Sequence, residues 1–174
     1  VWEREINSEI DFNLNIFAAI PNKIEKIEYV LQKAVEVWVS NFYFFNSERS
    51  QKLVLSENKL SRLKKIIIEA VEQSWRSFVP QLIIEDDINI ELIKDDYNII
   101  FHTKDNSSNL LKELKIDYSK QINLFVWPEW GFSEKEIGLF ESYNFNKVYL
   151  WERILRTETT WVVSAFYIIQ NKEK

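Results

Sequence analysis

Apolar and polar positions change rhythm repeatedly along this chain, and each rhythm predicts an element. The run LNIFAAI (14–20) is short and unbroken, as a strand buried on both faces should be, and Pro21-Asn22 stops it. Residues 23–37 then take a helical period, with Ile24, Ile27, Leu31, Ala34 and Val35 on one face. NFYFF (41–45) is aromatic and strand-like. A second helix is predicted over 59–77, with a stripe of Leu60, Leu63, Ile66, Ile67, Ala70 and Val71, before Pro80 closes the unit. QLIIE (81–85) is a short strand, and 87–94 is a short helix at most. NIIFH (98–102) is a buried strand, followed by a polar loop and a helix near 108–115. INLFV (122–126) leads straight into WPEWGF, after which Ser133 and Glu136 have the spacing of a capping box, starting a helix that runs to about 143. KVYL (147–150) is the last strand; WERILRTETT follows it, then an apolar helix over roughly 157–170 and the charged tail NKEK.

This alternation predicts an α/β fold: a mainly parallel sheet with helices on both faces. Ligands in such sheets bind beyond the carboxyl ends of strands. The loops after 98–102, 122–126 and 147–150 are therefore the candidate site. Residues 1–12 lack periodicity and are expected to be a remnant of an upstream domain or linker, leaving a single domain over 13–174.

Composition narrows the chemistry. With no Cys and a single His among 174 residues, thiolate metal sites, His-based metal clusters and Ser-His-Asp triads are disfavoured, and no metal is expected. A net charge of −5 argues against a strongly basic nucleic-acid binder, though a local patch remains open. No apolar run reaches the roughly 18 residues that span a bilayer, so no membrane partner is expected, and the cytoplasm is the expected location. The chain has no Met and is treated as a piece of a longer one. Glycine is the anomaly: there are 2, outnumbered by 7 Trp. Turns and ligand loops of α/β proteins need glycine, because only Gly adopts positive φ without steric cost.

VWPEWGFSEKEIGLFESYNFNKVYLWERILRTETT, the long C-terminal stretch, resembles the ribosomal RNA uracil-N3 methyltransferases of the SPOUT superfamily. That family carries a Gly-Pro-Glu-Gly-Gly-Phe-Ser loop, matched here by Pro128, Glu129, Gly131, Phe132 and Ser133. Its Leu-Gly-x-Arg-Ile-Leu-Arg-Thr-Glu-Thr loop is matched by Leu150, Arg153, Ile154, Leu155, Arg156, Thr157, Glu158 and Thr159. Upstream, LQKAVEVWV (31–39), ERS (48–50) and KIIIEAVEQSWRSFVP (65–80) also look like family segments, so the resemblance spans about 14–170. It implies a SPOUT-type fold with a C-terminal trefoil knot, S-adenosylmethionine as cofactor, small-subunit ribosomal RNA as partner, and a homodimer. An N-terminal RNA-binding barrel of the family is missing from the chain, which implies weak RNA affinity for this stretch alone.

Departures from the family pattern are one-sided. Trp38, Trp75, Trp127, Trp130 and Trp151 stand where the family has Gly, and Trp2 and Trp161 stand where Gly would be acceptable. Random decay would scatter many residue types rather than convert glycines to one. A lineage that reads UGA as glycine, translated with a table that reads it as tryptophan, would write this pattern. Restoring all of them would bring glycine to nine, about 5% and near the usual ~7%. If the tryptophans are real instead, indoles crowd the pocket and the chain is a catalytically dead relative that retains RNA or protein binding.

By resemblance the cofactor-binding residues are His102, Val126, Trp127, Pro128, Glu129, Trp130, Gly131, Leu150, Trp151, Ile154 and Leu155. Arg153, Arg156 and Glu158 are the catalytic candidates: guanidinium forks suit phosphate or uracil oxygens, and a carboxylate suits the departing N3 proton. Arg49, Arg76 and Arg153 are the RNA-binding candidates. Plainer readings stand beside these. His102 could be an ordinary strand-end histidine, and Arg153 and Arg156 structural partners of Glu158. Asp86-Asp87 and Asp95-Asp96 read as solvated loop carboxylates rather than metal ligands, and Arg62, Lys64 and Lys65 as a solvated helix face.

Overall fold

The computed structural model describes residues 9–50, 55–103, 108–127 and 130–172. Seven parallel-paired strands form one sheet: β1 (Leu14–Ala19), β2 (Asn41–Phe45), β3 (Gln81–Glu85), β4 (Tyr97–Phe101), β5 (Asn109–Leu110), β6 (Ile122–Val126) and β7 (Asn146–Tyr149), in the order β3-β2-β1-β6-β4-β7-β5. Four helices accompany it: α1 (Ile24–Glu36), α2 (Glu57–Ser74), α3 (Glu134–Ser142) and α4 (Thr157–Lys172). Helices cover both faces, as the alternation predicts. On one face, Ile27, Leu31 and Ala34 of α1, Leu63 and Ile67 of α2, and Trp161 and Ala165 of α4 pack on Leu14, Ile16, Phe42 and Leu124. On the other, Phe140 of α3 joins Phe17, Phe45, Phe125 and Phe132.

One expectation changes. The stretch 108–115 is not a helix: β5 pairs with β7 there, and only Leu111–Glu113 turn as a 3-10 helix. Propensity over so few residues is weak, and a free edge of the sheet captured the segment instead. Within the stretch 1–12, read as a remnant of an upstream domain or linker, residues 9–12 are described and pack on the sheet domain. Phe12 is buried and meets Tyr118 edge-on at 5.2 Å. Residues 1–8 lie outside the described residues. The predicted element over 87–94 survives as a 3-10 turn at Ile90–Leu92.

A row of asparagines crosses the amino-terminal end of the sheet. Strand register sets Asn15 opposite both Asn41 and Asn123, and Asn98 opposite Asn123. Their amides chain together: Asn41 Nδ2 donates to Asn15 Oδ1 (2.8 Å), Asn15 Nδ2 to Asn123 Oδ1 (2.9 Å), and Asn123 Nδ2 to Asn98 Oδ1 (2.9 Å) and Asp96 Oδ2 (3.0 Å). Asn98 Nδ2 ends the chain on the Ile93 carbonyl at 2.7 Å. One residue-pair further along each strand, the same face carries an aromatic row, with Tyr43 stacked on Phe17 at 4.3 Å and Phe17 on Phe125 at 4.7 Å. A one-residue slip of any of these strands would break both rows, so they hold the register on which the opposite end depends.

Three helices close with Schellman motifs, in which the residue after the cap takes the left-handed conformation. At α1, Trp38 (φ 58°) donates to Val35 O and Val39 to Ala34 O. At α2, Trp75 (φ 60°) donates to Glu72 O and Arg76 to Val71 O. At α3, Asn144 (φ 59°) donates to Glu141 O and Phe145 to Phe140 O. Asn tolerates this conformation; a bulky aromatic pays roughly 1–2 kcal/mol for it. The backbone thus asks for glycine at two of the positions where tryptophan is written. Trp161 shows a different mismatch. It is fully buried against Phe44, and its Nε1 has no hydrogen-bond partner among the described residues.

Candidate active site

β6, β4 and β7 are neighbours in the sheet, so the loops leaving their carboxyl ends emerge side by side. That adjacency brings together residues far apart in sequence. His102 and Thr103 follow β4, Trp127 follows β6, and the segment 150–156 follows β7; together with Tyr149 and Thr160 they line a cleft of about 200 Å³. His102 is held at both ends: its N–H donates to Val148 O (2.8 Å), and its Nδ1 lies 2.9 Å from Thr103 O. A carbonyl only accepts, so in the neutral ring Nδ1 carries the proton and Nε2 is the acceptor.

Two further clefts share walls with the first. One, of about 360 Å³, adds Lys26, Arg156, Thr157 and Glu158 to the shared Trp127, Ile154 and Leu155. The other, of about 380 Å³, is apolar, set by Leu110, Leu111, Val163 and Tyr167 against the shared Leu150, Trp151 and Leu155. The segment after β7 is therefore the partition of three cavities. Its side chains stand out from the body: Ile154 is 80% and Trp151 65% exposed.

The predicted site residues distribute unevenly. His102, Trp127, Leu150, Trp151, Ile154 and Leu155 converge on the first cleft. Val126 is fully buried in the core, so only its backbone faces the loop. Trp130 is mostly exposed and lines none of the three clefts. Gly131, with φ 73°, supplies the positive-φ position of its turn, and Phe132 anchors the loop by stacking on Phe45. Pro128 and Glu129 lie outside the described residues. The catalytic trio is split, with Arg153 on the first cleft and Arg156 and Glu158 on the second.

Two of the expected RNA-binding arginines have other work. Arg76 is buried, not presented to solvent: Nη1 donates to the carbonyls of Val35 (3.1 Å) and Val39 (2.8 Å), and Nη2 meets Glu9 at 2.7 Å. It ties the end of α2 to the end of α1 at the far end of the sheet. Arg49 reaches across from the turn after β2, and its Nη1 lies 3.3 Å from both Trp130 O and Phe132 O. The same turn sends the Glu48 amide to Glu136 Oε1 (3.1 Å), while Ser133 and Glu136 close the predicted capping box. Glu48 is held below the usual carboxylate range by a hydrogen bond involving Ser133 and by Lys135. Arg49 therefore braces the 130–133 loop.

Sequence reasoning missed Lys26, Thr103, Tyr149, Glu152 and Thr160. Most are immediate neighbours of predicted positions. Lys26 is different: it comes from the first turn of α1, and only the exposed side of that helix's apolar stripe could have pointed to it. Among the described residues no group of three His, Cys, Asp or Glu could hold a metal, and no helix is long and apolar enough to cross a membrane.

A parallel sheet whose three adjacent carboxyl-end loops fold over one cleft is the architecture of the SPOUT-type methyltransferases. The chain belongs to the RNA methyltransferase domain family, whose model matches residues 8–169. Ribosomal RNA small subunit methyltransferase E of Buchnera aphidicola from Acyrthosiphon pisum is 32% identical over 151 residues, 82% of this chain and 58% of that protein. Its counterpart in Mesomycoplasma hyopneumoniae is 32% identical over 145 residues, 79% of this chain and 61% of that one. Among solved structures, a ribosomal RNA small subunit methyltransferase E from Neisseria gonorrhoeae bound to S-adenosyl methionine superimposes with a TM-score of 0.83 at 27% identity, covering 97% of this chain and 70% of that one. The chain thus spans about three fifths of the length of these curated relatives.

Proposed function

We propose that residues 13–174 form the catalytic domain of an S-adenosylmethionine-dependent methyltransferase acting on uracil N3 of small-subunit ribosomal RNA, working as a cytoplasmic homodimer. One observation carries the reading: both family loops, separated in sequence, meet His102 around one cleft. The cofactor would supply an electrophilic methyl group on a sulfonium. Leu150, Ile154 and Leu155 offer it apolar walls, and His102, Thr103 and Glu152 a polar rim. Arg153 on the rim would stabilise negative charge on the uracil oxygens, Arg156 beside it would orient the acceptor strand, and Glu158 would receive the N3 proton.

Size decides between this and a catalytically dead relative. At about 200 Å³ the cleft falls short of the ~300–1,000 Å³ of typical ligand sites, and two of its walls are the indoles of Trp127 and Trp151. Both stand at family glycine positions. Glycine at both positions would widen the cleft toward its neighbours and give the cofactor room. The left-handed Trp38 and Trp75 favour the glycine reading independently, since they lie far from the cleft. The test is mass spectrometry of the protein from its native cells, on the tryptic peptides 121–135 and 148–153. Glycine masses at 127, 130 and 151, together with calorimetric binding of S-adenosylmethionine, support a working methyltransferase. Tryptophan masses and no binding would leave only the dead relative.

A further inference from the structure

We infer that the second cleft is the seat of the acceptor strand, with Lys26 and Arg156 holding one backbone phosphate of the RNA. The inference rests on the methyltransferase reading and adds to it a residue outside the family loops. Lys26, from the first turn of α1, and Arg156, from the segment after β7, approach this cleft from separate elements and give it two cations. A positively charged sulfonium is a poor occupant for such a lining; a phosphate is a good one. The cleft's volume of about 360 Å³ lies within the usual range for a ligand site. It shares Trp127, Ile154 and Leu155 with the first cleft, so a nucleotide seated here lies beside the methyl donor's position rather than across the molecule. Glu158 lines the same cleft, and its carboxylate disfavours a second phosphate there.

In a chain of net charge −5, RNA needs a local positive track. Lys26, Arg153 and Arg156 sit together around the two joined clefts. An ammonium from α1 and a guanidinium from the segment after β7 also differ usefully: the guanidinium fixes phosphate orientation through paired donors, and the ammonium adds charge with little directional demand.

The test uses the full-length protein and a transcript of its small-subunit ribosomal RNA. Lys26→Ala is expected to weaken RNA binding on the order of tenfold and to flatten the log Kd against log salt slope by about 0.7–0.9. S-adenosylmethionine affinity, measured by calorimetry on the same preparation, should not move, and Lys26→Arg should restore both RNA affinity and slope. Unchanged RNA affinity and slope in Lys26→Ala would overturn the assignment, and so would a loss confined to cofactor affinity, which would give the cleft to the cofactor. Should Lys26→Ala melt early, Lys26→Gln reads the same slope with the side-chain length kept. A wild-type protein that binds RNA but neither binds S-adenosylmethionine nor transfers its methyl group would sink the methyltransferase reading, while the Lys26 slope would still decide the phosphate site.

Discussion

The two ends of this sheet obey different rules. At the amino-terminal end every polar side chain of the central strands is spoken for: the asparagine row satisfies itself, and Arg76 closes α1 and α2 on Glu9. At the carboxyl end the chain leaves the strands in exposed loops, and three cavities share one partition. Tryptophans occur at both ends, and their misfit differs with place. Trp38 and Trp75 are wrong for their backbone, held at positive φ in helix-terminating turns. Trp127 and Trp151 have no such strain and are wrong for the space, standing in the lining of a cleft that needs room. One written residue type thus conflicts with two unrelated physical requirements, and glycine meets both.

The largest expected effect lies at the carboxyl end. In the chain as written, Trp127→Gly with Trp151→Gly should raise S-adenosylmethionine affinity by at least about a hundredfold, some 2.7 kcal/mol. Thermal stability should change far less, because Trp151 is mostly exposed. Equal cofactor affinity in the two proteins, by calorimetry, would show that the indoles do not close the cleft.

The amino-terminal row should respond in the opposite sense. Asn123→Ala removes two donated bonds and one accepted one, and strands the buried amide of Asn15 and the oxygen of Asn98. A loss of roughly 2–3 kcal/mol in urea unfolding is expected. Cofactor affinity of the folded fraction should be unaffected. If affinity falls as steeply as stability, the two ends are not separable, and the comparison fails.

Most of the architecture was legible because it rests on local periodicity. The strands over 14–20, 41–45 and 122–126, the stripes of α1 and α2, and the Ser133–Glu136 cap all formed within a few residues of their predicted limits. Failures came where partners distant in sequence decide. Residues 108–115 became an edge strand because β7 was there to pair with. Arg76 is buried because its guanidinium reaches the Val35 and Val39 carbonyls at the end of α1, which no pattern in its own neighbourhood reveals. Family loops named the lining of the first cleft, but Lys26 belongs to the second through a helix whose remaining pattern only reports its buried face.

A smaller effect separates strain from space. Trp75→Gly, at an exposed left-handed position, should stabilise the protein by about 1–2 kcal/mol, read as a rise in Tm. Asn144→Gly calibrates the measurement, since Asn already tolerates this conformation, and should shift Tm by a fraction as much. A Trp75→Gly protein no more stable than its parent would remove the backbone argument for glycine there and leave only the cleft.

The smallest effect concerns the clamp that Arg76 makes with Glu9. Burial alone would raise the Glu9 carboxyl; the hydrogen bond and charge of Arg76, with the amides of Ser77 and Phe78, outweigh it and hold the group below its ordinary value of 4.5. A carboxyl whose folded pKa is depressed contributes stability that is complete above the unfolded value and is lost as pH falls through the folded one. Wild-type stability should therefore decline below about pH 4.5 more steeply than that of Glu9→Gln, which has no proton to take up there. Subtracting the two profiles cancels the exposed carboxylates that titrate in the same window, Asp11, Glu48, Glu91 and Asp117 among them. At neutral pH the variant should already be the weaker protein, because Arg76 keeps its buried charge and loses the counter-charge. The two curves should converge as the pH drops, and parallel curves would mean that Glu9 does not hold Arg76 in solution.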